Sequence, residues 1–364
     1  MSHTIEVPIR YEKHYPICIG ENMWQQIERF CSDRYAQRLA LSVIDERVQQ
    51  LHGQRIANGL SRYFDRVETY VVPEGEQSKS TGPWQQIIDF IMATEVERQT
   101  PLFAIGGGVT GDLAGFAASA ALRGIPLVHL PTSLLAMVDS SIGGKTGINH
   151  KTGKNLVGAF YQPDAVFADL EFLHTLAREE WINGLSEILK YGAIRSPEIF
   201  DLAAYLIENE GFAPSDNWAE LIARSAAIKV DVVQADTLES GKRAYLNFGH
   251  TFGHALEKMA GYGKISHGQA VFIGMIAAVH ASKERGARID SARFDPFKSL
   301  YPLVLHKYAP EVDELVVAMR SDKKVHNDQI RLILLENWGR PYIHTCDDGK
   351  LIENAWSFAY KKFR

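Results

Sequence analysis

The chain has 364 residues, of which 46% are hydrophobic, and its formal net charge is -5. A chain of this length can bury a large core and is expected to form two domains rather than one. Because acidic and basic residues are interspersed, with no long Lys/Arg block, the composition argues against a surface for nucleic acid or an anionic membrane.

The first residues of the chain, MSHTIEVPIRYEKHYP, carry charges where a signal peptide would need an apolar core. No run approaches the roughly 20 apolar residues of a membrane span. We therefore expect a soluble, cytoplasmic protein.

Short apolar runs alternate with helix-like stretches over residues 1–175, which predicts an α/β domain with a mainly parallel sheet. From residue 176 to residue 364, long amphipathic stretches replace the strands and predict an all-α domain. One strand signal returns at IRLILLE, residues 330–336. The predicted strands of the first domain are YPICIG (15–20), LALSVID (39–45), VETYVV (67–72), PLFAIGGG (101–108), IPLVHLP (125–131) and AVFAD (165–169).

Three glycines, residues 106–108, stand at the carboxyl end of the fourth predicted strand, and we expect a helix to begin near Thr110. A glycine backbone can approach a phosphate closely, and a helix N-terminus supplies free amide donors. The spacing is not GxGxxG, so a strand-to-helix turn without a ligand remains an alternative. Asp45 ends another strand, where a carboxylate can bind ribose hydroxyls. Asp112 either contacts the ligand or interacts with amides in the first turn of the helix.

Two lysines lie in glycine-rich segments that we interpret as loops: Lys145 in GGKTG and Lys154 in TGKN. Loops of this kind bring backbone amides and ammonium groups to an anion. Together with Arg123 and Asn155, they predict an anion site, although solvated loop lysines are the alternative. The segment SSIGGKT does not satisfy the P-loop spacing.

The segment LNFGHTFGHALE, residues 246–257, is predicted to place Asn247, His250 and His254 on one face of a helix. His267, in KISHGQAV, stands at the expected start of the next helix. Imidazole and carboxylate groups suit divalent metals such as Zn²⁺, and Glu187 of GLSEILKYG could complete a site with two of the histidines. Buried, hydrogen-bonded core histidines are the alternative, and the HExxH motif is absent.

Further charged residues follow helical spacing in the second domain. Glu187 and Lys190 are three residues apart and share a helix face, either at a site or as an exposed pair. Along the helix from Asn217, Lys229 and Asp236 align within about 20°, and Glu239 lies within about 80° of Lys229. Arg243 comes next in the chain. This face predicts a pocket for a carboxylate or phosphate, unless it is a solvated surface.

Seven ordered blocks of the chain resemble the successive motifs of the 3-dehydroquinate synthase family, and they cover nearly its whole length. The resemblance implies an NAD-binding α/β domain and a helical domain that binds metal and substrate. It implies conversion of 3-deoxy-D-arabino-heptulosonate 7-phosphate to 3-dehydroquinate and phosphate by a homodimer. The blocks are GGGVTGDLAGFAAS, LRGIP, PTSLLAMVDSSIGGKTGINH, GKNLVGAFYQP, GLSEILKYG, LNFGHTFGHALE and HGQAV.

The resemblance also implies a role for individual residues. NAD⁺ would be bound by Asp45, Glu76, Lys79, Gly107, Gly108, Val109, Asp112, Thr132, Ser133, Lys154, Phe172 and Thr175. A divalent metal, Zn²⁺ or Co²⁺, would be bound by Glu187, His250 and His267. Substrate would contact Asp139, Lys145, Asn155, Lys190, Lys229, Glu239, Arg243, Asn247, His254 and either Lys323 or Lys324, with Arg123 reaching the phosphate of a neighbouring subunit.

One residue departs from the family pattern near a metal ligand. Gln269 follows His267 in HGQAV, where HGEAV is common in the family, and we expect this to alter the surroundings of the metal. Two alternatives for function remain. One is another sugar phosphate cyclase, such as an aminodehydroquinate synthase, and the other is a metal-dependent NAD alcohol dehydrogenase of the glycerol dehydrogenase type.

Overall fold

A computed structural model gives the structure of residues 6, 12–36, 38–239, 241–261, 264–301, 310–320 and 330–363. Lys323 and Lys324, the two predicted substrate lysines, lie outside the described residues. The strands of the described part are β1 (Ile17–Gly20), β2 (Leu39–Asp45), β3 (Arg66–Val72), β4 (Leu102–Gly106), β5 (Leu127–Pro131), β6 (Lys145–His150), β7 (Gly153–Phe160), β8 (Ala165–Asp169), β9 (Ile330–Asn337) and β10 (Arg340–Cys346).

The α-helices of the described part occur mainly after residue 177. In chain order they are α1 (Trp24–Arg34), α2 (Glu46–Leu60), α3 (Thr81–Ala93), α4 (Gly108–Ala120), α5 (Arg178–Ile194), α6 (Glu198–Asn209), α7 (Asp216–Ala235), α8 (His250–Ala260), α9 (His267–Glu284), α10 (Val312–Arg320) and α11 (Gly349–Phe363). Short 3₁₀ turns include Ala121–Arg123, Leu170–Thr175 and Lys242–Asn247, and one π-turn covers Ala136–Ser140.

Six parallel strands form one sheet in the order β1-β8-β5-β4-β2-β3. Each corresponds to one of the six runs predicted from sequence, although β3 begins one residue earlier than its run, at Arg66. Strands β4, β5 and β8 are buried at every residue, as expected for parallel strands that are covered on both faces. Phe103 points into the core beneath α1 and α2, whereas Ala104 points to the opposite core beneath α3 and α4. The predicted α/β fold is confirmed.

The order in which the chain adds strands to the sheet reverses between β2 and β4. Strand β2 pairs with β3 on one side and with β4 on the other. The chain therefore adds β3 at the outer edge beside β2 and then crosses to the other side of β2 to add β4. Parallel sheets bind ligands beyond the carboxyl ends of the strands at such a reversal. Asp45 ends β2 and Gly106 ends β4, so the fold places both residues at the expected ligand-binding edge.

The remainder of the chain is rich in helices, as predicted, and also contains the antiparallel hairpin β9-β10, whose first strand was expected. Helices α8 and α9 pack closely because glycines stand where they meet. A Cβ on Gly274 would lie 2.1 Å from the carbonyl oxygen of Gly249, and one on Gly253 would lie 3.0 Å from that of Ala270. Within the described residues, no helix is long and apolar enough to cross a membrane.

Residues 145–160 differ from the sequence prediction. We expected glycine-rich loops around Lys145 and Lys154, but both lysines lie on the antiparallel strands β6 and β7. Gly147 and Gly158 are opposite one another, and a Cβ on Gly158 would lie 2.0 Å from the carbonyl oxygen of Thr146. The glycines therefore allow two strands to approach, which a composition rich in glycine does not distinguish from a loop.

Candidate active site

The carboxyl edge of the sheet brings together several of the predicted cofactor residues. Asp45 caps α2 by accepting hydrogen bonds from the amides of Arg47 (2.9 Å) and Val48 (3.2 Å), and burial raises the pKa of its carboxyl group. Gly107 is the N-cap of α4 and Gly108 its first residue, followed by Val109. The helix thus begins two residues before Thr110, and its amino end lies beside Asp45.

Close packing explains part of the glycine cluster. A Cβ on Gly106 would lie 2.8 Å from Cβ of Thr110, and one on Gly108 would lie 3.1 Å from Oγ of Ser140. Thr132 follows β5 and donates its amide hydrogen to the carbonyl oxygen of Gly106 at 3.0 Å. The neighbouring Ser133 accepts from the amide of Ala136. The carboxyl end of β5 therefore lies against the glycines at the carboxyl end of β4.

Two more predicted cofactor residues, Phe172 and Thr175, lie on the 3₁₀ turn that follows β8. Thr175 Oγ1 is 2.7 Å from Nε2 of His52, and the ring of Phe172 packs edge-to-face on the same imidazole. His52 extends from α2, so these contacts connect the helix that follows β2 with the turn that follows β8. His52 was missed from sequence, because a single histidine on an otherwise ordinary helix gives no signal.

A second cluster forms around Lys79. Its ammonium group donates to Asp112 Oδ2 and Asn155 Oδ1, each at 2.5 Å. Asp112 lies beyond the first turn of α4 and binds the lysine rather than backbone amides, so the alternative of a first-turn acid is wrong. Glu76 accepts from Nδ2 of Asn149 at 2.7 Å. Asn155, for which we predicted a substrate contact, therefore lies with the predicted cofactor residues.

A buried network of charges lies where α5 and α7 meet the π-turn. Glu187 and Lys190 are each only 1% exposed and hydrogen-bonded to one another, which excludes the exposed pair considered from sequence. Lys229 Nζ lies 2.9 Å from Oδ1 of Asp139, and Lys190 Nζ lies 3.6 Å from the same atom. Burial alone would raise the pKa of Asp139, but Lys229 and Lys190 outweigh it and hold the pKa well below its usual value.

Tyr191 belongs to the same network and was missed from sequence. Its hydroxyl group donates to Oδ1 of Asp139, and the residue is fully buried on α5. It is adjacent to Lys190 in the chain, and adjacent positions on a helix do not share a face. The spacing rules that grouped Glu187 with Lys190 therefore could not include it.

The polar residues after α7 reach the site in a way that the helical spacing did not predict. Helix α7 ends at Ala235, and Glu239 follows in a loop with φ of +59°, so the predicted common face of Lys229, Asp236 and Glu239 is wrong. Glu239 nevertheless forms an ion pair with Lys145 of β6 and accepts from Nδ2 of Asn247 at 3.3 Å.

Arg243 is 1% exposed and holds this loop in place. Its guanidinium group donates to the carbonyl oxygens of Thr237 (2.6 Å) and Gly143 (3.0 Å), and its backbone amide donates to Asp236. Its Nε atom has no hydrogen-bond partner within the described residues. The arginine thus keeps one donor for a ligand, while its other contacts are structural.

Asn247 does not lie on the helix of His250 and His254. It ends the 3₁₀ turn Lys242–Asn247, and Gly249, with φ of +80°, separates that turn from α8. A Cβ on Gly249 would lie 2.8 Å from the backbone nitrogen of Met275 on α9. Gly249 therefore separates Asn247 from the helix face of His250 and His254, so the predicted common face of these three residues is wrong. The absence of a side chain at Gly249 also allows the start of α8 to pack closely against α9.

Glu187, His250 and His267 form a compact group that fits a divalent cation. Oε1 of Glu187 lies 3.5 Å from Nε2 of His250 and 3.5 Å from Nε2 of His267. This oxygen is buried and has no hydrogen-bond partner within the described residues. A buried carboxylate oxygen without a donor, facing two imidazole nitrogens, is the arrangement expected of a metal site.

The two imidazole rings differ in their surroundings. Burial lowers the pKa of His250 well below its usual value, and its Nδ1 atom faces the carbonyl oxygen of Phe248 at 3.2 Å. This contact favours the neutral ring with Nε2 free to bind a metal. Burial also lowers the pKa of His267, but the nearby carboxylates of Glu187 and Glu257 outweigh it and raise the value to about 9.

His267 is the first residue of α9, and a capping box fixes its position. Ser266 accepts from the amide of Gln269, and the side chain of Gln269 accepts from the amide of Ser266, each at 3.2 Å. Glutamine and glutamate both complete such a box, so Gln269 keeps the start of the helix that the common acid would provide.

His254 lies one turn along α8, and its ring centroid is 5.5 Å from that of His250. His254, Glu257 and His267 form a second group whose atoms could hold a cation. Lys154 Nζ lies 3.2 Å from Oε1 of Glu257, however, and its positive charge opposes a second cation there. The first group, with its unpaired oxygen, is the better metal site.

Arg123 is exposed at the end of the turn that follows α4, and none of the described contacts joins it to this site. It and Leu122 both adopt left-handed conformations, with φ of +64° and +48°. Two successive residues of this kind cost about 1–2 kcal/mol each relative to right-handed conformations. After this strained turn, the amide of Ile125 donates to the carbonyl oxygen of Ala118 at 3.0 Å, so the chain packs back against α4.

Two family models match successive parts of the chain. The one described as 3-dehydroquinate synthase N-terminal matches residues 69–183, and the one described as 3-dehydroquinate synthase C-terminal matches residues 184–325. The 3-dehydroquinate synthase of Salinibacter ruber is 44% identical over 321 residues, which is 88% of this chain and 88% of the relative.

Two solved structures share the fold over most of the chain. One is 2-epi-5-epi-valiolone synthase from Streptomyces hygroscopicus with NAD⁺ and Zn²⁺ bound, with a TM-score of 0.87, 28% identity and coverage of 98% of this chain and 100% of that one. The other is 2-deoxy-scyllo-inosose synthase complexed with carbaglucose-6-phosphate, NAD⁺ and Co²⁺, with a TM-score of 0.83, 26% identity and coverage of 93% and 95%.

Proposed function

The chain belongs to the 3-dehydroquinate synthase family and is an enzyme of that type, and we propose that the residues gathered at this site perform the family's reaction. The small-molecule substrate is 3-deoxy-D-arabino-heptulosonate 7-phosphate, and the products are 3-dehydroquinate and phosphate, within the shikimate pathway of aromatic amino acid biosynthesis. The observation that carries the proposal is the unpaired, buried Oε1 of Glu187 between His250 and His267.

Glu187, His250 and His267 would hold one divalent metal, Zn²⁺ or Co²⁺. The carboxyl edge of the sheet, including Asp45 and the amino end of α4, would hold NAD⁺. When bound, these groups supply a hydride acceptor and a Lewis acid that polarises the C5 alcohol of the substrate. NAD⁺ bound there would serve as both hydride acceptor and hydride donor, so the overall reaction would need no other oxidant or reductant.

The residues around Asp139 would bind and orient the substrate. Lys190 and Lys229 are buried cations held by the carboxylate of Asp139, so they cannot rotate freely into solvent. Burial lowers the pKa of Lys229, because nearby water no longer stabilises its charge. With the unpaired Nε of Arg243, Lys229 provides a cationic corner suited to the carboxylate of the substrate.

Departure of phosphate requires positive charge or hydrogen-bond donors near the leaving oxygen atoms. Lys145 and His254 would supply them from the α/β half and the helical half of the molecule, respectively. Lys145 is held by Glu239, which also binds Asn247, so the lysine is oriented before the substrate arrives. A cation that is already oriented loses less conformational entropy on reaching the transition state than a mobile one.

The proposal includes four further features of the wider protein. We propose a homodimer in which Arg123 of one subunit contacts the phosphate bound by the other. We also propose a cytoplasmic location, no association with nucleic acid, and a domain boundary between residues 175 and 176, where the 3₁₀ turn after β8 precedes α5.

The test is to incubate the purified protein with the heptulosonate phosphate, NAD⁺ and Zn²⁺ and to measure phosphate release. We expect release that depends on NAD⁺ and metal, with no accumulation of NADH. Absence of release, together with steady NADH production from a simple polyol, would identify a dehydrogenase instead. A parallel reaction with the amino analogue distinguishes the aminodehydroquinate synthase alternative, which would prefer that substrate.

A further inference from the structure

Glu257 lies beside the proposed metal site, and neither the metal assignment nor the substrate assignment gives it a role. Its side chain extends from α8 and is only 5% exposed. One oxygen, Oε1, is 3.2 Å from Nζ of Lys154, and the other, Oε2, is 3.7 Å from Nδ1 of His267. The carboxylate therefore lies between a lysine of strand β7 and a histidine of helix α9.

The geometry of His267 gives this contact a consequence. Nε2 of the ring faces Oε1 of Glu187, while Nδ1 faces Glu257 on the opposite side. A neutral imidazole carries its proton on only one nitrogen, and a carboxylate 3.7 Å from Nδ1 favours the proton on that nitrogen, which leaves the lone pair at Nε2. Carboxylates in this position orient the ring of a metal-binding histidine and raise its basicity.

Lys154 accounts for the burial of Glu257. A buried carboxylate that faced only a neutral imidazole would be costly, and the ammonium group of Lys154 offsets that cost. Because Lys154 belongs to the β6-β7 hairpin, it also anchors the carboxylate from outside the helical half. Loss of either contact is expected to let the carboxylate and then the His267 ring turn.

We propose that Glu257 is a positioning residue that holds His267, through its Nδ1 atom, with Nε2 directed towards Glu187, and that Lys154 holds Glu257 in turn. This inference rests on the proposed function only in taking His267 as a metal ligand. It assigns Glu257 to the orientation of one ligand and not to contact with substrate.

The test measures Co²⁺ binding to the metal-free protein without NAD⁺, by chelator competition and by the visible absorption spectrum of bound Co²⁺. For Glu257→Gln we expect affinity to fall about 10- to 100-fold and the spectrum to change, as is typical when such a partner is lost. The matched control is Glu284→Gln, which removes a Glu–His pair on α9, where Glu284 Oε1 lies 3.5 Å from Nε2 of His280. That variant should bind Co²⁺ as the unmodified protein does.

Activity at saturating Co²⁺ separates positioning from catalysis. The Glu257→Gln enzyme should recover kcat to within about threefold, since excess metal compensates for a poorly oriented ligand. An unchanged affinity and spectrum would overturn the proposal, as would an activity loss that excess Co²⁺ does not restore or a stoichiometry of two Co²⁺ ions per chain.

Two further measurements keep the test decisive. If Glu257→Gln does not fold, Lys154→Gln decides, because it removes the outer contact while Glu257 itself stays in place, and it should weaken Co²⁺ binding by about threefold or more. An unchanged affinity in that variant would then reject the proposal. If the unmodified protein binds no Co²⁺, the metal assignment of the proposed function is what fails, and the two failures are thereby distinguished.

Discussion

Lys229 places its ammonium group 2.9 Å from Oδ1 of Asp139 and 2.6 Å from the backbone oxygen of the same residue. These contacts join α7 of the helical half to the π-turn that follows β5. A single lysine thus satisfies a carboxylate and a carbonyl group at the boundary between the two halves. Its removal is expected to affect both stability and activity.

We predict that Lys229→Met lowers the free energy of unfolding by about 3 kcal/mol, because the carboxylate of Asp139 loses the closer of its two lysine partners. The control is Arg224→Met on the same helix, which breaks an exposed pair with Glu220 and should cost no more than about 0.5 kcal/mol. Urea unfolding of the metal-free proteins measures both values. Equal destabilisation by the two variants would contradict the importance of the buried pair.

His250→Ala should abolish metal binding and activity together, because it removes one of the three proposed protein ligands. Metal analysis after dialysis and an assay of phosphate release measure the two effects. The matched control is His280→Ala on α9, which removes a histidine stacked on Phe358, away from the three ligands. A His250→Ala protein that retains its full metal content would reject the ligand assignment.

His254→Asn should separate metal binding from catalysis. We expect full metal content and a fall in kcat of about 100-fold or more, because the histidine that is lost would stabilise the leaving phosphate rather than bind metal. Loss of metal in this variant would instead favour the second group, formed by His254, Glu257 and His267. The same metal analysis distinguishes these outcomes.

Arg123 can be tested by mixing two inactive variants, Arg123→Ala and Lys229→Met. If Arg123 acts on the site of its partner, a mixed dimer contains one complete site, formed by Lys229 of one chain and Arg123 of the other. Random re-association then restores about a quarter of the unmodified activity, since half of the dimers are mixed and each has one working site. No recovery on mixing would place Arg123 in its own subunit's site, whereas full activity of Arg123→Ala by itself would place Arg123 outside catalysis.

The sheet was predictable because each buried strand is a compact apolar run between helical stretches. The β6-β7 hairpin was not, since its glycines serve strand contact at Gly147 and Gly158 and look like loop residues in the sequence. Local composition cannot show which segment will lie opposite another.

The site was predictable where residues share a helix and less so where loops bring them together. Glu187 and Lys190 were grouped by their spacing, which the structure retains on α5. Glu239 and Asn247 were placed on helices by extrapolation, but α7 ends at Ala235 and Gly249 interrupts the path to α8. Glu257 had no assigned role, because its significance depends on His267 from another helix.

His129 gives a prediction for stability against pH. It lies within the buried strand β5, and burial lowers the pKa of its ring to about 4, whereas an unfolded histidine titrates near about 6.5. Between these values the unfolded chain binds a proton that the folded protein does not, so the free energy of unfolding rises with pH. The contribution is complete above about pH 6.5 and is lost as the pH falls towards 4. The difference between the pKa values of His129 in the folded and unfolded states corresponds to about 3 kcal/mol of unfolding free energy.

His129→Leu removes this titrating group, so its unfolding free energy should fall less steeply than that of the unmodified protein between about pH 7 and about pH 4.5. Urea unfolding across that range measures the difference in slope, whatever constant offset the leucine introduces. His14→Leu is the matched control at an exposed position, since the side chain of His14 is 86% exposed. Parallel curves for His129→Leu and the unmodified protein would show that His129 binds its proton in the folded state, and would require a charged partner for it inside the sheet.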